Sequence, residues 1–256
     1  MTGAGNHTYL LADDEEGAAL IDAGVGHTEH LDALASHLEE RHVRLRDVFV
    51  THAHGDHIAG AEAIAAWYPE ARFWKHPWRE EDAKYRVAWH PVDEGDRMRA
   101  GGRELIALHT PGHSPDHLAL WDHESRTAFT GDLVVAGGSV MIQASRGGDL
   151  IQYLASLARL IALRPARLLP AHGPEVTDPE ALLRGYIAHR LRRERQVVDA
   201  LAAGHDVVPS IAQSIYDGLA PALWLAAHEN VRAHLEKLRH EGRAVEDDGR
   251  WRLLPT

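Results

Sequence analysis

The chain has 256 residues, enough for one large domain or for a domain of ordinary size plus a small one. Hydrophobic residues make up 45% of it and the formal charge is −11, which excludes a disordered chain and disfavours general binding to nucleic-acid backbones. It has no cysteine, so disulfides and thiolate metal sites are excluded.

No basic-then-apolar leader opens the chain, and no apolar run reaches membrane-spanning length. A soluble cytoplasmic protein without a membrane partner is therefore expected. Residues 7–12 and 18–22 read as two short strands around an acidic turn. Residues 28–42 carry Leu31, Leu34, Ala35 and Leu38 at helical spacing. Val48-Phe49-Val50 is a short apolar strand that ends at Thr51. Residues 59–68 read as a helix stopped by Pro69, and Arg72-Phe73-Trp74 as the next strand. Further strands are expected at 103–109, 117–122 and 127–132, then an amphipathic helix at 149–163 and a last strand at 167–170. Strands and helices alternate, as in an α/β sandwich, and every candidate ligand falls at a strand end.

After Pro174 the texture changes, so the domains are expected at 1–174 and 175–256. Residues 179–203 form a long arginine-rich helical pattern, and 207–217 and 221–241 two more helices. Arg243-Ala244-Val245, Asp247-Asp248-Gly249 and Trp251-Arg252-Leu253 read as a hairpin with a tight Asp-Gly turn. Three helices and a hairpin are the layout of a winged helix. Most of the 20 histidines are expected on the surface, among them His27, His30, His37 and His42, and His189, His228 and His234 on helical faces.

Seven residues stand apart: His52, His54, Asp56 and His57 in Thr51-His52-Ala53-His54-Gly55-Asp56-His57, then His113, Asp132 and His172. His52 and His54 are two apart, so an extended strand end points both to one face. Asp56 and His57 are adjacent and must point differently, as a turn into a helix allows. The cluster then divides between two ions. His52, His54 and His113 take the first, Asp56, His57 and His172 the second, and Asp132 bridges them with its two oxygens. Nitrogen and oxygen donors without sulfur suit two Zn2+ best, with Fe or Mn as alternatives. Such a pair turns water into a nucleophile at neutral pH, with Asp56 and Asp132 as the catalytic carboxylates. Asp22 ends an apolar strand and reads either as an outer acceptor that orients a ligand histidine or as an ordinary turn aspartate. Asp116 and His117 either line the site or simply end their loop.

The motifs T-H-A-H-G-D-H, T-P-G-H-S, T-G-D and P-A-H-G-P resemble the successive metal motifs of the metallo-beta-lactamase fold superfamily. The resemblance implies a four-layer αβ/βα sandwich with the metals at one edge between two sheets, and matches Asp22 to an early aspartate. Asp132 resembles the glyoxalase II and ribonuclease Z pattern rather than that of true class B beta-lactamases. His113 and Asp132 are too close to hold the insertion of the RNA-processing beta-CASP proteins. Segments such as Ala227-His228-Glu229-Asn230-Val231 and Glu241-Gly242-Arg243 resemble the C-terminal winged helix of the beta-lactamase-like protein 2 family. In relatives a strand usually precedes Met1-Thr2-Gly3, so a first strand is expected to be missing or displaced. Asn6-His7-Thr8-Tyr9-Leu10 replaces the commoner T-N-T-Y-L.

The leading expectation is hydrolysis of a small-molecule ester, thioester or lactone. Animal relatives imply a second, single-strand endoribonuclease, with Arg184, Arg190, Arg192, Arg193 and Arg195 on the RNA backbone. The plainer reading of those arginines is a solvated face paired with Glu194 and Asp199. Beta-lactam hydrolysis ranks lower because of Asp132, and a DNA-binding regulator because the third tail helix starts with apolar residues suited to packing. Trp224 and Leu225 are expected to pack there against the catalytic domain. A homodimer is a further expectation.

Overall fold

The acidic turn of the first hairpin is closed by its own carboxylate. Asp13 accepts the amides of Glu15 and Glu16 at 2.9 Å, so Tyr9–Asp13 (β1) and Gly17–Ile21 (β2) pair antiparallel with Asp13 opposite Gly17. The computed structural model describes residues 5–255, and the departure expected near Met1-Thr2-Gly3 lies outside the described residues. The chain divides into two compact units. The first runs to Thr110 and takes in Asp116–Gly138 and Leu163–Pro179; the second holds Pro111–Pro115, Ser139–Ala162 and the chain from Glu180 on.

In the first unit, β2 continues parallel into Leu45–Phe49 (β3), Arg72–Lys75 (β4) and Trp89–Pro91 (β5). Helices Thr28–Glu40 (α1), Gly55–Ile58 (α2), Ala61–Trp67 (α3) and Arg79–Asp82 (α4) lie between these strands in sequence. Alternation sorts the side chains. Ala18, Leu20, Val48 and Phe73 pack on Leu31, Leu34 and Leu38 of α1 and Ile64 of α3. Ala19, Ile21 and Phe49 face the other way, onto Leu105, Ala107, Leu118, Leu120 and Phe129 of a second sheet. That sheet has the order β10-β9-β8-β7-β6. It is built from Arg97–Ala100 (β6), Arg103–His109 (β7), Leu118–Asp122 (β8), Thr127–Gly131 (β9) and Arg167–Pro170 (β10). A helix layer and two facing sheets share this core, and β8 and β9 are buried throughout, as their apolar runs require. The helix expected at 59–68 is the single helix α3, Ala61–Trp67, and a turn at Ala59-Gly60 parts it from the shorter α2. A Cβ on Gly60 would lie 2.1 Å from the Ala23 carbonyl oxygen.

Asp122 ends β8 and is 3% exposed. It accepts the amides of Glu124 and Ser125, the Ser125 hydroxyl at 2.7 Å and the Arg103 guanidinium at 2.7 Å. Burial alone raises its pKa; the Ser125 hydroxyl and amide and the Arg103 charge outweigh this and hold the carboxyl below the ordinary carboxylate range. A lowered folded-state pKa stabilises the protein above the unfolded value, and that stability is lost as pH falls through the folded value. Asp122→Ala is expected to cost about 2–3 kcal/mol at neutral pH, from the lost charged hydrogen bonds. The gap to wild type should shrink below about pH 4 in urea titrations, where the unfolded carboxyl is protonated. A gap constant down to pH 2 rules out this origin.

The second unit contains the bulk of Leu150–Leu163 (α5) and of Pro179–Ala202 (α6), with Val208–Ile215 (α7), Trp224–His240 (α8) and the hairpin Ala244–Asp247 (β11) and Arg250–Leu253 (β12). Asp248 and Gly249 both have positive φ, 48° and 76°, so the Asp-Gly turn suits a two-residue hairpin. Val197, Leu201, Ile211, Val231, Leu235, Leu238 and Trp251 form the core of this three-helix-and-hairpin module. His234 departs from expectation: it is fully buried, on the helical stripe of Ala227, Val231 and Leu238. Burial and the nearby Arg190 and Lys237 charges push its pKa well below the ordinary imidazole value. Trp224 packs on the module's own core, while Leu225 is 69% exposed. No helix among the described residues is long and apolar enough to cross a membrane.

Candidate metal centre

The site begins with a strained aspartate. Asp22, just after β2, has φ 63°, a left-handed conformation that aspartate tolerates better than most residues, and is 2% exposed. That turn aims its carboxylate at the chain leaving β3. Asp22 Oδ1 accepts the Thr51 amide at 2.8 Å and the Thr51 hydroxyl at 2.9 Å, while Oδ2 accepts His57 Nδ1–H at 2.7 Å. The outer-acceptor reading of Asp22 therefore matches its contacts. The Thr51 hydroxyl, donating to Asp22, also lies 3.1 Å from His52 Nδ1. A proton on that Nδ1 leaves the His52 lone pair on Nε2, 3.0 Å from His54 Nδ1.

α2 is a single turn that carries both Asp56 and His57. His57 is buried and its Nε2 points at Asp132 Oδ1 (3.4 Å) and Asp56 Oδ2 (3.8 Å). Asp132 follows Gly131, whose φ is 46°; a Cβ there would lie 2.8 Å from His117 Nε2 and 2.9 Å from Thr51 Oγ1. Only glycine fits this close approach. His117 is fully buried, accepts the Asp132 amide at 3.0 Å and bonds Thr110 Oγ1 through Nδ1 at 2.8 Å. Its role is thus to support the Asp132 backbone. His172, beyond β10, donates Nδ1–H to the Gly5 carbonyl at 2.8 Å. Its Nε2 lies 3.2 Å from Asp56 Oδ2 and 3.3 Å from Asp132 Oδ1. The Asn6 amide donates to the Asp56 carbonyl, which gives that early loop a place beside the site.

Two donor groups result. Asp56, His57 and His172 offer ligand atoms within 4.8 Å of one another, and so do His52, His54 and Asp132. Asp132 Oδ1 also lies against His57 and His172, where a carboxylate shared between the groups should be. His113 sits in the Pro111–Pro115 segment of the second unit and bonds the Met141 carbonyl through Nδ1 at 2.8 Å, which puts its lone pair on Nε2. A cation fits these residues. His57 Nε2 is buried with no hydrogen-bond partner among the described residues, a costly state for a polar atom unless an ion meets it. Burial opposes a charge on His57, yet the Asp22 and Asp132 carboxylates hold its pKa well above the ordinary value. Burial also raises Asp56, but His172 and His57 outweigh it and keep the carboxyl below the ordinary range. The bond to Asp56 in turn raises His172. Acids and imidazoles that lean on one another's charge in this way are chemically suited to a shared divalent ion.

Asp116 is buried and takes Lys75 Nζ at 3.1 Å. Lys75 is itself 1% exposed and also pairs with Asp82 at 2.5 Å. Nothing in the sequence marks this lysine as interior. The arginine stripe is not uniformly solvated. Arg190 is 1% exposed, Arg193 stacks 4.1 Å from the Tyr216 ring, and Arg184 pairs with Glu180 at 2.8 Å. Glu194 pairs instead with Lys237 at 2.6 Å and Arg243 at 2.8 Å. Arg190 and Arg193 are committed within the fold, while Arg184, Arg192 and Arg195 are exposed.

Residues 1–172 match the model of the metallo-beta-lactamase superfamily, and residues 208–251 that of the beta-lactamase associated winged helix domain. The chain is 30% identical to a beta-lactamase-like protein 2 homolog of Caenorhabditis elegans, over 94% of this chain and 81% of that protein. It is 33% identical to an atrochrysone carboxyl ACP thioesterase of Emericella nidulans, over 77% of this chain and 60% of that protein. Among solved structures, a beta-lactamase domain protein from Burkholderia ambifaria superposes with a TM-score of 0.80 at 23% identity, covering 96% of this chain and 86% of that one.

Proposed function

Because the chain belongs to the metallo-beta-lactamase superfamily and is a hydrolase of that family, we propose that it is a dinuclear zinc enzyme that cleaves a small-molecule thioester, ester or lactone. The observation that carries the dinuclear reading is Asp132, with one carboxylate oxygen against both His57 and His172 while it groups with His52 and His54. In this reading His52, His54 and His113 would hold one ion and Asp56, His57 and His172 the other, with the Asp132 carboxylate within reach of both groups. Divalent ions bound there supply Lewis-acid polarisation of the acyl carbonyl and a water acidic enough to ionise near pH 7.

The protein's own groups do the rest. Asp22 fixes the His57 ring and tautomer, and His117 fixes the Asp132 backbone. Asp56, kept ionised by His172 and His57, is a carboxylate that could accept the proton the attacking water gives up. Water adds to the acyl carbon, the carbon–sulfur or carbon–oxygen bond breaks, and the departing thiol or alcohol regains a proton. The thioester class ranks first, supported by the thioesterase named among the relatives.

The test is a hydrolysis screen of the zinc-loaded full chain over acyl-carrier thioesters, lactones, beta-lactams, phosphodiesters and short RNAs, with zinc counted by mass spectrometry. Two zinc ions per chain and turnover of thioesters or lactones are expected. One ion, or cleavage confined to RNA or beta-lactams, overturns the reading.

A further inference from the structure

We propose that Arg190, on α6, is a positioning residue for His113: it clamps the loop carbonyls and the helix that set the direction of the His113 imidazole. This rests on the reading of His113 as a metal ligand. Two features hold His113, and both lead back to Arg190. The first acts on the ring. His113 Nδ1 bonds the Met141 carbonyl at 2.8 Å, and the neighbouring Val140 carbonyl accepts the Arg190 guanidinium. The second acts on the main chain. The Gly112 carbonyl accepts the Asp149 amide at 2.8 Å and the Pro111 carbonyl accepts the Ser156 hydroxyl at 2.9 Å, which seats the segment on α5. The seat is tight: φ at Gly112 is 130°, and a Cβ there would lie 2.3 Å from the Tyr153 nitrogen. The ring of that same Tyr153 lies 5.3 Å from the Arg190 guanidinium carbon.

Arg190 is in turn fixed from α8. It donates to Asn230 Oδ1 at 2.7 Å, and Asn230 donates to the Tyr216 hydroxyl at 2.5 Å. Glu229, one residue earlier, accepts the Ser145 amide at 3.0 Å and ties the same loop a second time. The loop needs such ties. Apart from a single 3-10 turn at Ala144–Arg146, no helix or strand spans the chain between Ser139 and Asp149, so no ladder sets the direction of the Met141 carbonyl. A guanidinium that is 1% exposed is expensive to bury, and a core that needed only volume is served as well by a methionine. What an arginine adds is several fixed donors at once, and here they converge on the loop that aims a ligand.

The experiment compares zinc titrations of the full-length chain with long-range proton–nitrogen spectra of the metal-free protein. In Arg190→Met, affinity for one of the two zinc ions should fall about 10–100-fold, the range seen when the group orienting a metal-binding histidine is lost. The His113 Nδ1–H signal should broaden or vanish. Arg190→Lys, which keeps one charged donor, should recover part of both. Lys237→Met breaks the ion pair with Glu194 in the same unit, so it should lower the Tm and leave both readouts as in wild type. His113→Ala separates the two ideas. If it keeps both ions, the ligand reading fails. If it loses one ion while Arg190→Met keeps wild-type affinity and an intact His113 signal, the Arg190 proposal alone is overturned. Should Arg190→Met not fold, Asn230→Ala loosens the same guanidinium and must show the same two changes, or the proposal falls.

Discussion

Asp132→Ala is expected to lower kcat at least about 1,000-fold while the chain keeps its fold. The size follows from the chemistry of the nucleophile. A water whose pKa is brought near 7 is about half ionised at neutral pH, against a fraction on the order of one in a billion for bulk water. Asp132 is the residue whose geometry joins the two donor groups, with Oδ1 3.4 Å from His57 Nε2 and 3.3 Å from His172 Nε2. Its loss should leave the ions uncoupled or one of them absent. The fold should survive because the Asp132 contact that supports the chain is its backbone amide, which alanine keeps for His117 at 3.0 Å. His54→Ala should follow the same pattern, since its side chain is only partly buried beside His52. The measurements are kcat on the best substrate from the screen, zinc per chain and the far-ultraviolet circular dichroism spectrum. Wild-type kcat in either variant removes that residue from the catalytic centre. Lost activity with an unfolded spectrum instead assigns the loss to structure.

Much of this site was legible because its chemistry is written in short spacings. His52 and His54 lie two apart in the loop after β3 and Asp56 and His57 share one helical turn, so short spacing alone groups candidate donors that the fold also brings close together. The buried strands β8 and β9 were equally legible, since burial on both faces makes an apolar run. What stayed hidden depends on partners distant in sequence. The Lys75 of Arg72-Phe73-Trp74-Lys75 looks like a solvated strand end, and only the fold brings Asp82 and Asp116 to it. Arg190 sits in an arginine-rich stretch that reads as one polar face, yet its partners are Asn230, 40 residues on, and Val140, 50 residues back. Strands β5 and β6 escaped because Trp89-His90-Pro91 holds a proline and Arg97-Met98-Arg99-Ala100, although it alternates exposed and buried, is only four residues long. His234 is the opposite case. Its spacing from Ala227, Val231 and Leu238 marks a buried stripe, but its polarity argued against the interior.

The second large effect concerns a residue that holds no ion. Asp22→Ala should weaken binding of the ion at Asp56, His57 and His172 by about 10–100-fold and cost roughly 3–5 kcal/mol of stability. Two contributions make up that cost. Three hydrogen bonds disappear, from the Thr51 amide, the Thr51 hydroxyl and His57 Nδ1–H, and all three donors are buried. Alanine must also hold φ near 63°, which aspartate and asparagine tolerate better. Asp22→Asn tells the parts apart. Asparagine keeps the backbone conformation and one carbonyl acceptor for Thr51, so most of the stability should return in urea titrations. It cannot serve both Thr51 and His57 as an acceptor, so the His57 ring loses its anchor and zinc affinity should stay low. If Asp22 merely completed a turn, the asparagine variant would bind both ions as tightly as wild type. Low affinity in a stable Asp22→Asn protein therefore places the control of His57 in the carboxylate itself, 35 residues away in sequence and 2.7 Å away in space.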